Sequence, residues 1–315
     1  MDLVAALRTF LRVAELGSFS AVAEERGVTQ PAISRQVTAL EGYFGARLVQ
    51  RSTHAVTLTD EGRELVPAAH QLVDSADVLQ ERIGRRRAKP AGRVRLSVPV
   101  PLGLYFTSRL DSLLKKYDEL SIDLVLHDRL RDLIEEGLDL QVCVGEIRDS
   151  AMISRRIGAT TAFLVAAPHY LKGRSAPKEP GDLLQHDCIV YHRWGRDDVW
   201  WFAGPKGIVS TSVHGRFRAN NADAVRRAAV NGLGVALLSH LLVTDDIRAG
   251  RLRSLMPEFP PARFPLTVVY PSRRNLPSRV RAVIEYLREI VQADPAMRDN
   301  GEVHAEPFSE VAALD

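Results

Sequence analysis

The 315-residue chain carries 42 Lys and Arg against 39 Asp and Glu, a net charge of +3, with 45% hydrophobic and 26% charged residues. That balance is ordinary for a soluble globular protein, the length suits two or three domains, and the mild basicity fits a polyanionic partner without demanding one. Cys143 and Cys188 stand far apart in apolar runs with no CxxC pair, and the nine histidines show no ligand spacing, so neither a metal site nor a cofactor is expected. MDLVAALRTFLRVAELG has no basic run ahead of a long apolar core, and no apolar stretch is long enough to span a bilayer. The expectation is a cytoplasmic protein with no membrane partner.

Taken in chain order, Leu3, Leu7, Phe10, Leu11 and Ala14 fall at helical steps and Gly17 stops the helix. Ser18 and Ser20 suit the cap of a short helix over about Ser20 to Arg26. Thr29 suits the cap of a third, with Pro31 near its first turn, where a missing N–H costs little. The third helix carries Ile33, Val37, Leu40 and Phe44 on one side, with Gln30, Ser34, Arg35 and Thr38 elsewhere, and Gly45 closes it. Three short helices separated by Gly-containing turns make a helix-turn-helix arrangement, and the alternation through Val49 and Val56–Leu58 predicts a small β-wing.

From Thr59 to about Arg87, Leu65, Leu72 and Leu79 recur every seven residues, with Ala69, Ala76 and Ile83 four behind each. This is the seam of a helix that pairs with a second copy, the alternative being a helix laid on its own domain. Pro67 marks a bend or a loose first turn. Arg85 to Arg93 is a polar break containing Pro90 and Gly92 and reads as a hinge.

Beyond it strands and helices alternate. VRLSVPV, IDLVLH and LQVCVG are strands, with helices expected over Leu102–Tyr117 and Asp128–Glu136. RRIGATTAFLVAAP is strand-like, with a short helix starting at Pro168. CIVYH, VWWFAG, IVSTSV and GRFRAN are further strands, Asn221–Asn231 a helix, GVALLS and LTVVYPS strands, and Arg279–Ala293 a closing helix. Such alternation implies an α/β domain with parallel strands under covering helices. Trp200 and Trp201, adjacent on a strand, point to opposite faces, so at least one belongs to the core.

The run SFSAVAEERGVTQPAISRQVTALEGYFGARLVQRSTHAVTLTDEGREL strongly resembles the LysR-type transcriptional regulators, through a long ordered pattern rather than a short motif. DLDLQVCVGEIRDS, RRIGATTAFLVAAPHYL, NNADAVRRAAVNGLGVALLS and YPSRRNLPSRVRAVIEYL resemble the effector domain of the same family, in the branch whose last strand ends in Tyr-Pro-Ser-Arg-Arg. The resemblance covers about residues 2 to 293. It implies an α/β protein made of a winged helix-turn-helix over 1–58, a linker and dimerisation helix over 59–89, and an effector-binding domain over 90–297; residues 298–315 lack a strong pattern and read as a flexible tail. The effector domain is expected to have two lobes like those of a periplasmic binding protein, lobe one over 93–160 plus 268–293 and lobe two over 161–267.

The expected function is a sequence-specific transcriptional regulator, not an enzyme, with promoter double-stranded DNA, a small-molecule effector and a second copy of itself as partners. Dimers form through the linker helix and pair into tetramers, and RNA polymerase is a further partner open to a promoter-bound regulator. The third helix enters a major groove. Gln30 suits adenine and Arg35 guanine, Ser34 a base or phosphate, and Pro31 and Ala32 a thymine methyl. Ser18, Ser20 and Thr38 suit phosphates. For Ser18, Ser20 and Thr29 the alternative is a capping role alone. Arg51 suits the minor groove, where family members often carry a second arginine and this chain reads Ser52-Thr53-His54.

In the family, the turn after the first strand of lobe one offers backbone N–H groups and a hydroxyl to an anion. Here it reads Pro99-Val100-Pro101-Leu102-Gly103, without the hydroxyl and with two prolines, which favours a more apolar or displaced effector. Val100, Pro101, Leu102, His127, Gly145, Glu146, His192, Trp194, Asn220 and Asn221, drawn from strand ends, are the effector candidates. Two alternatives carry other functions. An enzyme lacks support, because there is no GxSxG, HExxH, P-loop or GxGxxG in strand–helix context. A solute-binding protein would need an export signal and no helix-turn-helix.

Overall fold

The computed structural model describes residues 1–51, 56–83, 89–127, 133, 136–145, 152–192, 198–271 and 276–299. The chain divides into two compact units. One gathers the described residues of 1–91, 132–138 and 273–281, the other those of 92–131, 139–272 and 282–299.

The first unit opens with three helices, α1 (Leu3–Leu16), α2 (Phe19–Glu25) and α3 (Gln30–Phe44). Asp2 caps α1, its carboxylate accepting from the Ala5 N–H at 3.0 Å, and Gly17 ends it with φ of 60°, a left-handed conformation that glycine adopts without a Cβ penalty. Ser18, not Ser20, caps α2 by accepting from Ala21 N–H. Thr29 stands at the cap of α3, yet its side chain makes no capping bond; Pro31 sets the first turn instead. Phe10, Val13, Val22, Ile33, Val37, Leu40 and Leu48 form the core of this unit.

A polar link centred on the buried Thr9 joins the three helices. Thr9 Oγ1 bonds Gln36 Oε1 at 2.5 Å and accepts from the Arg26 guanidinium at 2.6 Å. Burial pulls the Arg26 guanidinium down, against the pull of Glu25. The wing is an antiparallel pair, β1 (Val49–Arg51) and β2 (Val56–Leu58). Glu41 holds it to α3, its carboxylate accepting from the Leu48 and Val49 N–H groups. Helix α4 (Asp60–Ile83) follows, with Thr59 Oγ1 accepting from Gly62 N–H and donating to the Arg47 carbonyl. Asp74, 4% exposed, accepts from Arg279, and Asp77 accepts from both Arg8 and Arg279.

The second unit contains two five-stranded mixed sheets. Lobe one is built on β3 (Gly92–Val98), β4 (Leu120–Leu126), β5 (Leu140–Val144), β6 (Met152–Ala159) and β14 (Pro265–Pro271), in the order β4-β3-β5-β14-β6. Lobe two is built on β7 (Ala162–Ala166), β8 (Cys188–Tyr191), β11 (Phe217–Ala219), β12 (Val235–Ser239) and β13 (Arg253–Ser254), in the order β11-β8-β12-β7-β13. A separate hairpin pairs β9 (Val199–Gly204) with β10 (Gly207–Ser212), Trp200 turned into the core and Trp201 half-buried.

The sheets are not wholly parallel. β4, β3 and β5 run parallel, whereas β14 is antiparallel to both β5 and β6; β11, β8 and β12 run parallel, whereas β7 is antiparallel to both β12 and β13. The reason is the crossing. The chain leaves lobe one after β6, enters lobe two on β7, and comes back after β13 on β14. The outgoing segment is only Thr160–Thr161, so what reads as one strand in RRIGATTAFLVAAP is two strands in two sheets.

Several further elements differ from the sequence expectation. The helix over Leu102–Tyr117 is two, α5 (Val100–Thr107) and α6 (Asp111–Lys116). Thr107 and Ser108 hydroxyls bond the Gly103 and Tyr105 carbonyls at the break, competing with the helix ladder. After Pro168 there are turns rather than a helix. The helix expected over Asp128–Glu136 lies mostly outside the described residues. β14 enters its sheet at Pro265, ahead of the expected return at 268. Helices α7 (Ala222–Val230) and α8 (His240–Arg248) cover lobe two, the second not foreseen, and α9 (Ser278–Ala293) closes the chain's ordered succession of elements. Of the tail expected from 298, Arg298 and Asp299 are held by Gln292, Arg263 and Arg156, and 300–315 lie outside the described residues.

A methyl group on Gly62 would meet the Leu48 carbonyl oxygen at 2.0 Å, whereas nothing lies within 4 Å of one on Gly42. Gly62→Ala is expected to destabilise the N-terminal unit by about 1–3 kcal/mol through overpacking. Gly42→Ala, in the same unit, should stabilise it by about 0.5–1 kcal/mol through helix propensity. Urea unfolding of the two variants checks both signs.

Candidate nucleic-acid interface and effector cleft

An α-helix can bury one stripe, and α3 buries Ile33, Val37 and Leu40, each at most 1% exposed. The same geometry turns Gln30, Pro31, Arg35 and Thr38 outward, with Ala32 and Ser34 half-buried at the flank. Ser20 and Thr29 are exposed nearby and Ser18 is half-buried, its hydroxyl used in capping α2. Gln30, Pro31, Ser34 and Arg35 therefore share the N-terminal half of one helix whose opposite side is sealed. The Arg51 backbone ends β1; residues 52–55 and the Arg51 side chain lie outside the described residues. Sequence reasoning missed Gln36, whose bond to Thr9 couples the base of this helix to α1, and Glu41, which anchors the wing. Their polar type next to apolar helical positions was the signal available.

On α4, Ala69 and Val73 are buried against the unit's own core, so the laid-down alternative describes one side of the helix. Leu72 and Leu79 remain 43% and 56% exposed, one heptad apart on another side.

The effector candidates fall at strand ends. Val100, Pro101 and Leu102 follow β3, His127 follows β4, and Gly145 follows β5. Since those three strands are parallel neighbours, these residues share the carboxyl edge of lobe one. Pro101 and Leu102 are buried in α5, Val100 and His127 half-buried, and Gly145 has φ of 99° with its N–H on the Pro265 carbonyl. In lobe two His192 follows β8, its N–H on the Ala219 carbonyl, and Asn220 and Asn221 follow β11, again at one carboxyl edge. Asn221 Oδ1 accepts from Ala224 N–H and caps α7, which accounts for that oxygen. Glu146 and Trp194 lie outside the described residues. β6 runs out of lobe one at its carboxyl edge, and β7 enters lobe two beside the carboxyl end of β12, Ala162 opposite Ser239. A two-residue crossing thus joins the two carboxyl edges, the location where open α/β sheets take ligands.

Among the described residues there is no cluster of His, Cys, Asp or Glu able to hold a metal ion. No helix of the described residues is long and apolar enough to cross a membrane. Both cysteines are free and buried, and burial pushes each thiol up to about 12.

A helix-turn-helix with a wing, joined through a long helix to a two-lobed α/β domain, defines a DNA-binding regulator with a ligand-binding domain. Comparison with known proteins agrees. Residues 4–63 match the family described as "Bacterial regulatory helix-turn-helix protein, lysR family", and residues 87–292 match "LysR substrate binding domain". The chain is 31% identical over 290 residues to the HTH-type transcriptional regulator PtxR of Pseudomonas aeruginosa, covering 92% of this chain and 93% of that one. Among solved structures it is similar to the full-length virulence activator AphB of Vibrio cholerae, with 27% identity and a TM-score of 0.56, covering 91% of this chain and 98% of that one. It is also similar to CrgA of Neisseria meningitidis, with 26% identity and a TM-score of 0.56, covering 90% and 97%. The chain belongs to the LysR-type family: it is a DNA-binding transcriptional regulator with an effector-binding domain, not an enzyme.

The thiol burial carries a prediction. In the native protein neither Cys143 nor Cys188 should react with a thiol-specific chromogenic disulfide on the timescale of minutes, and both should react once the chain is unfolded. A native-state burst of one equivalent would show an accessible thiolate and overturn it.

Proposed function

We propose that the outward side of α3 reads base edges in the major groove, Gln30 and Arg35 making the bidentate contacts, Ser34 a base or phosphate contact, and Pro31 and Ala32 apolar ones. Ser18, Ser20, Thr29 and Thr38 position the domain on phosphates, and Arg51 enters the minor groove. The observation that carries this reading is the sealing of Ile33, Val37 and Leu40, which leaves that side of the helix nowhere to point but outward. The single arginine beside Ser52-Thr53-His54 gives a weaker minor-groove contribution than a pair.

The domain arrangement follows the same reading, with the winged helix-turn-helix over 1–58, the linker helix over 59–89 and the effector domain beyond it. Two copies pair along α4 through the Leu72 and Leu79 side, and dimers pair into tetramers on a promoter in the cytoplasm, where RNA polymerase is a further partner. The effector binds where the carboxyl edges of the two lobes meet at the crossing, reached by Val100, His127, Gly145, Glu146, His192, Trp194, Asn220 and Asn221, with Pro101 and Leu102 shaping the wall. Pro101 removes a donor from the first turn of α5, which supports an effector more apolar than a simple carboxylate.

Arg35→Ala is expected to cost about 1–3 kcal/mol of discrimination between the cognate site and a site altered at one guanine, measured by competition binding. Equal weakening on every sequence would reduce Arg35 to a phosphate contact. Leu72→Glu combined with Leu79→Glu should lower the solution mass toward the monomer by light scattering, because two charges would face each other across the pair. An unchanged mass would remove α4 from the interface.

A further inference from the structure

The crossing between the lobes is more heavily tied than a two-residue link requires. Thr160 N–H donates to the Phe264 carbonyl and Thr160 Oγ1 accepts from Phe264 N–H, so the outgoing and returning segments are bonded to each other. The stretch after α9 is laced onto both. The Met297 carbonyl accepts from Ala159 N–H, the Ala296 carbonyl accepts from Thr161 Oγ1 and Arg263, and Arg263 also donates to the Thr160 carbonyl.

His240, the first residue of α8 in lobe two, is set into this knot and is 8% exposed. Its Nδ1 lies 3.0 Å from the Thr161 carbonyl, which already accepts from the His240 backbone N–H. Its Nε2 lies 3.6 Å from Asp294 Oδ2 and has no hydrogen-bond partner. Both ring nitrogens therefore face groups that can only accept: a carbonyl on one side and a carboxylate on the other. A neutral imidazole has one N–H and one lone pair, so it serves one of these acceptors and turns a lone pair on the other. An imidazolium serves both.

The other groups bearing on the pair come from every neighbouring element. From α5 of lobe one, the Tyr105 hydroxyl bonds Asp294; burial pushes this phenol up, Arg109 at 3.7 Å from its ring centre opposes that, and Asp294 adds to it. From the returning segment comes Arg263, and from the strap itself Arg298, whose carbonyl Arg263 also holds. Asp294 Oδ1 caps the strap by accepting from Ala296 N–H. On α8, Thr244 donates to the His240 carbonyl, and Asp246 is committed to Arg226 and Arg251.

We propose that His240 and Asp294 form a proton-controlled clasp across the base of the two lobes. With both nitrogens protonated, His240 bridges the Thr161 carbonyl and Asp294 by two charge-assisted hydrogen bonds, and through Asp294 joins α8 of lobe two to α5 of lobe one. Loss of one proton removes the Nε2–H donor, leaves a lone pair against a carboxylate, and frees the lobes to turn about the crossing. The proton itself is the ligand that favours the clasped arrangement, by differential binding to it. The clasp rests on the crossing alone and holds whatever the effector proves to be.

The direct test uses the full-length wild-type chain with nitrogen-15 labelled histidine. Long-range imidazole correlations at about pH 5.5 should show His240 with protons on both ring nitrogens, and at about pH 8 with the proton on Nδ1 only. The signal is assigned by its loss in His240→Gln, or by its displacement in Asp294→Asn should the first variant fail to fold. In parallel, thermal unfolding should place Asp294→Asn below wild type by about 2–4 °C at the acidic pH, and by little at the alkaline one. A proton on Nε2 alone, no second proton at the acidic pH, or a deficit of equal size at both pH values overturns the clasp.

Discussion

Ile33, Val37 and Leu40 decide the orientation of everything around them in the N-terminal unit. Once these three are sealed against α1 and α2, the rotation of α3 about its axis is fixed, and with it the direction of each remaining side chain. Polar bonds then fix its position along the axis. Thr9, which also accepts from Arg26, holds Gln36 at mid-helix, and Glu41 accepts from the Leu48 and Val49 N–H groups near the helix end. The proposed reading surface needs this rigidity, because a bidentate contact to a base pair tolerates little displacement of the guanidinium or carboxamide. The residues that touch DNA in such an arrangement are few, and the residues that aim them are buried and mostly apolar.

In the second unit the controlling feature is topological. Three parallel strands in each sheet put their loops at a carboxyl edge, and a link of two residues between β6 and β7 leaves those edges side by side. No long-range specificity is needed to create the cleft; it follows from strand direction and a short connection. The reversed members, β7 in lobe two and β14 in lobe one, are the strands by which the chain enters each lobe, so the departure from a wholly parallel sheet marks where the chain passes between lobes.

Much of this was readable from residues alone. The three N-terminal helices, the wing, the long helix and most strands announce themselves through helical or alternating periodicity and Gly or Ser punctuation. What failed did so for identifiable reasons. Thr107 and Ser108 break the predicted Leu102–Tyr117 helix by bonding carbonyls of the preceding turn, a competition that apolar periodicity does not register. Thr160–Thr161 sits inside an unbroken strand-like run because a crossing between two sheets keeps the chain extended and so keeps the strand pattern. Helix α8 is preceded by Ser239 as its cap, whose hydroxyl accepts from Leu241 N–H, but it follows the buried strand without a break in hydrophobicity. The candidate residues at strand ends come from the family resemblance and not from any spacing, since residues such as His127 and Gly145 reach one sheet edge only when the strands are paired.

The segment after α9 shows where composition misleads most. Between the end of α9 and the tail expected from 298 the sequence has no periodicity, yet Met297 is 1% exposed and carbonyls along the stretch accept bonds from both crossing segments. A strap of this kind needs no helical or alternating pattern, because its stability comes from backbone groups paired with other chain segments rather than from an apolar stripe of its own. Gly158 illustrates the closeness: a methyl there would meet the Met297 carbonyl oxygen at 2.5 Å, so the strap lies directly against the end of β6. A two-lobed domain joined by only two crossing segments has few covalent constraints on the angle between its lobes. Binding a third segment over them converts the hinge into a bistable joint whose preference is set by a few polar groups, and at such a joint a single proton has leverage that it lacks in a packed apolar core.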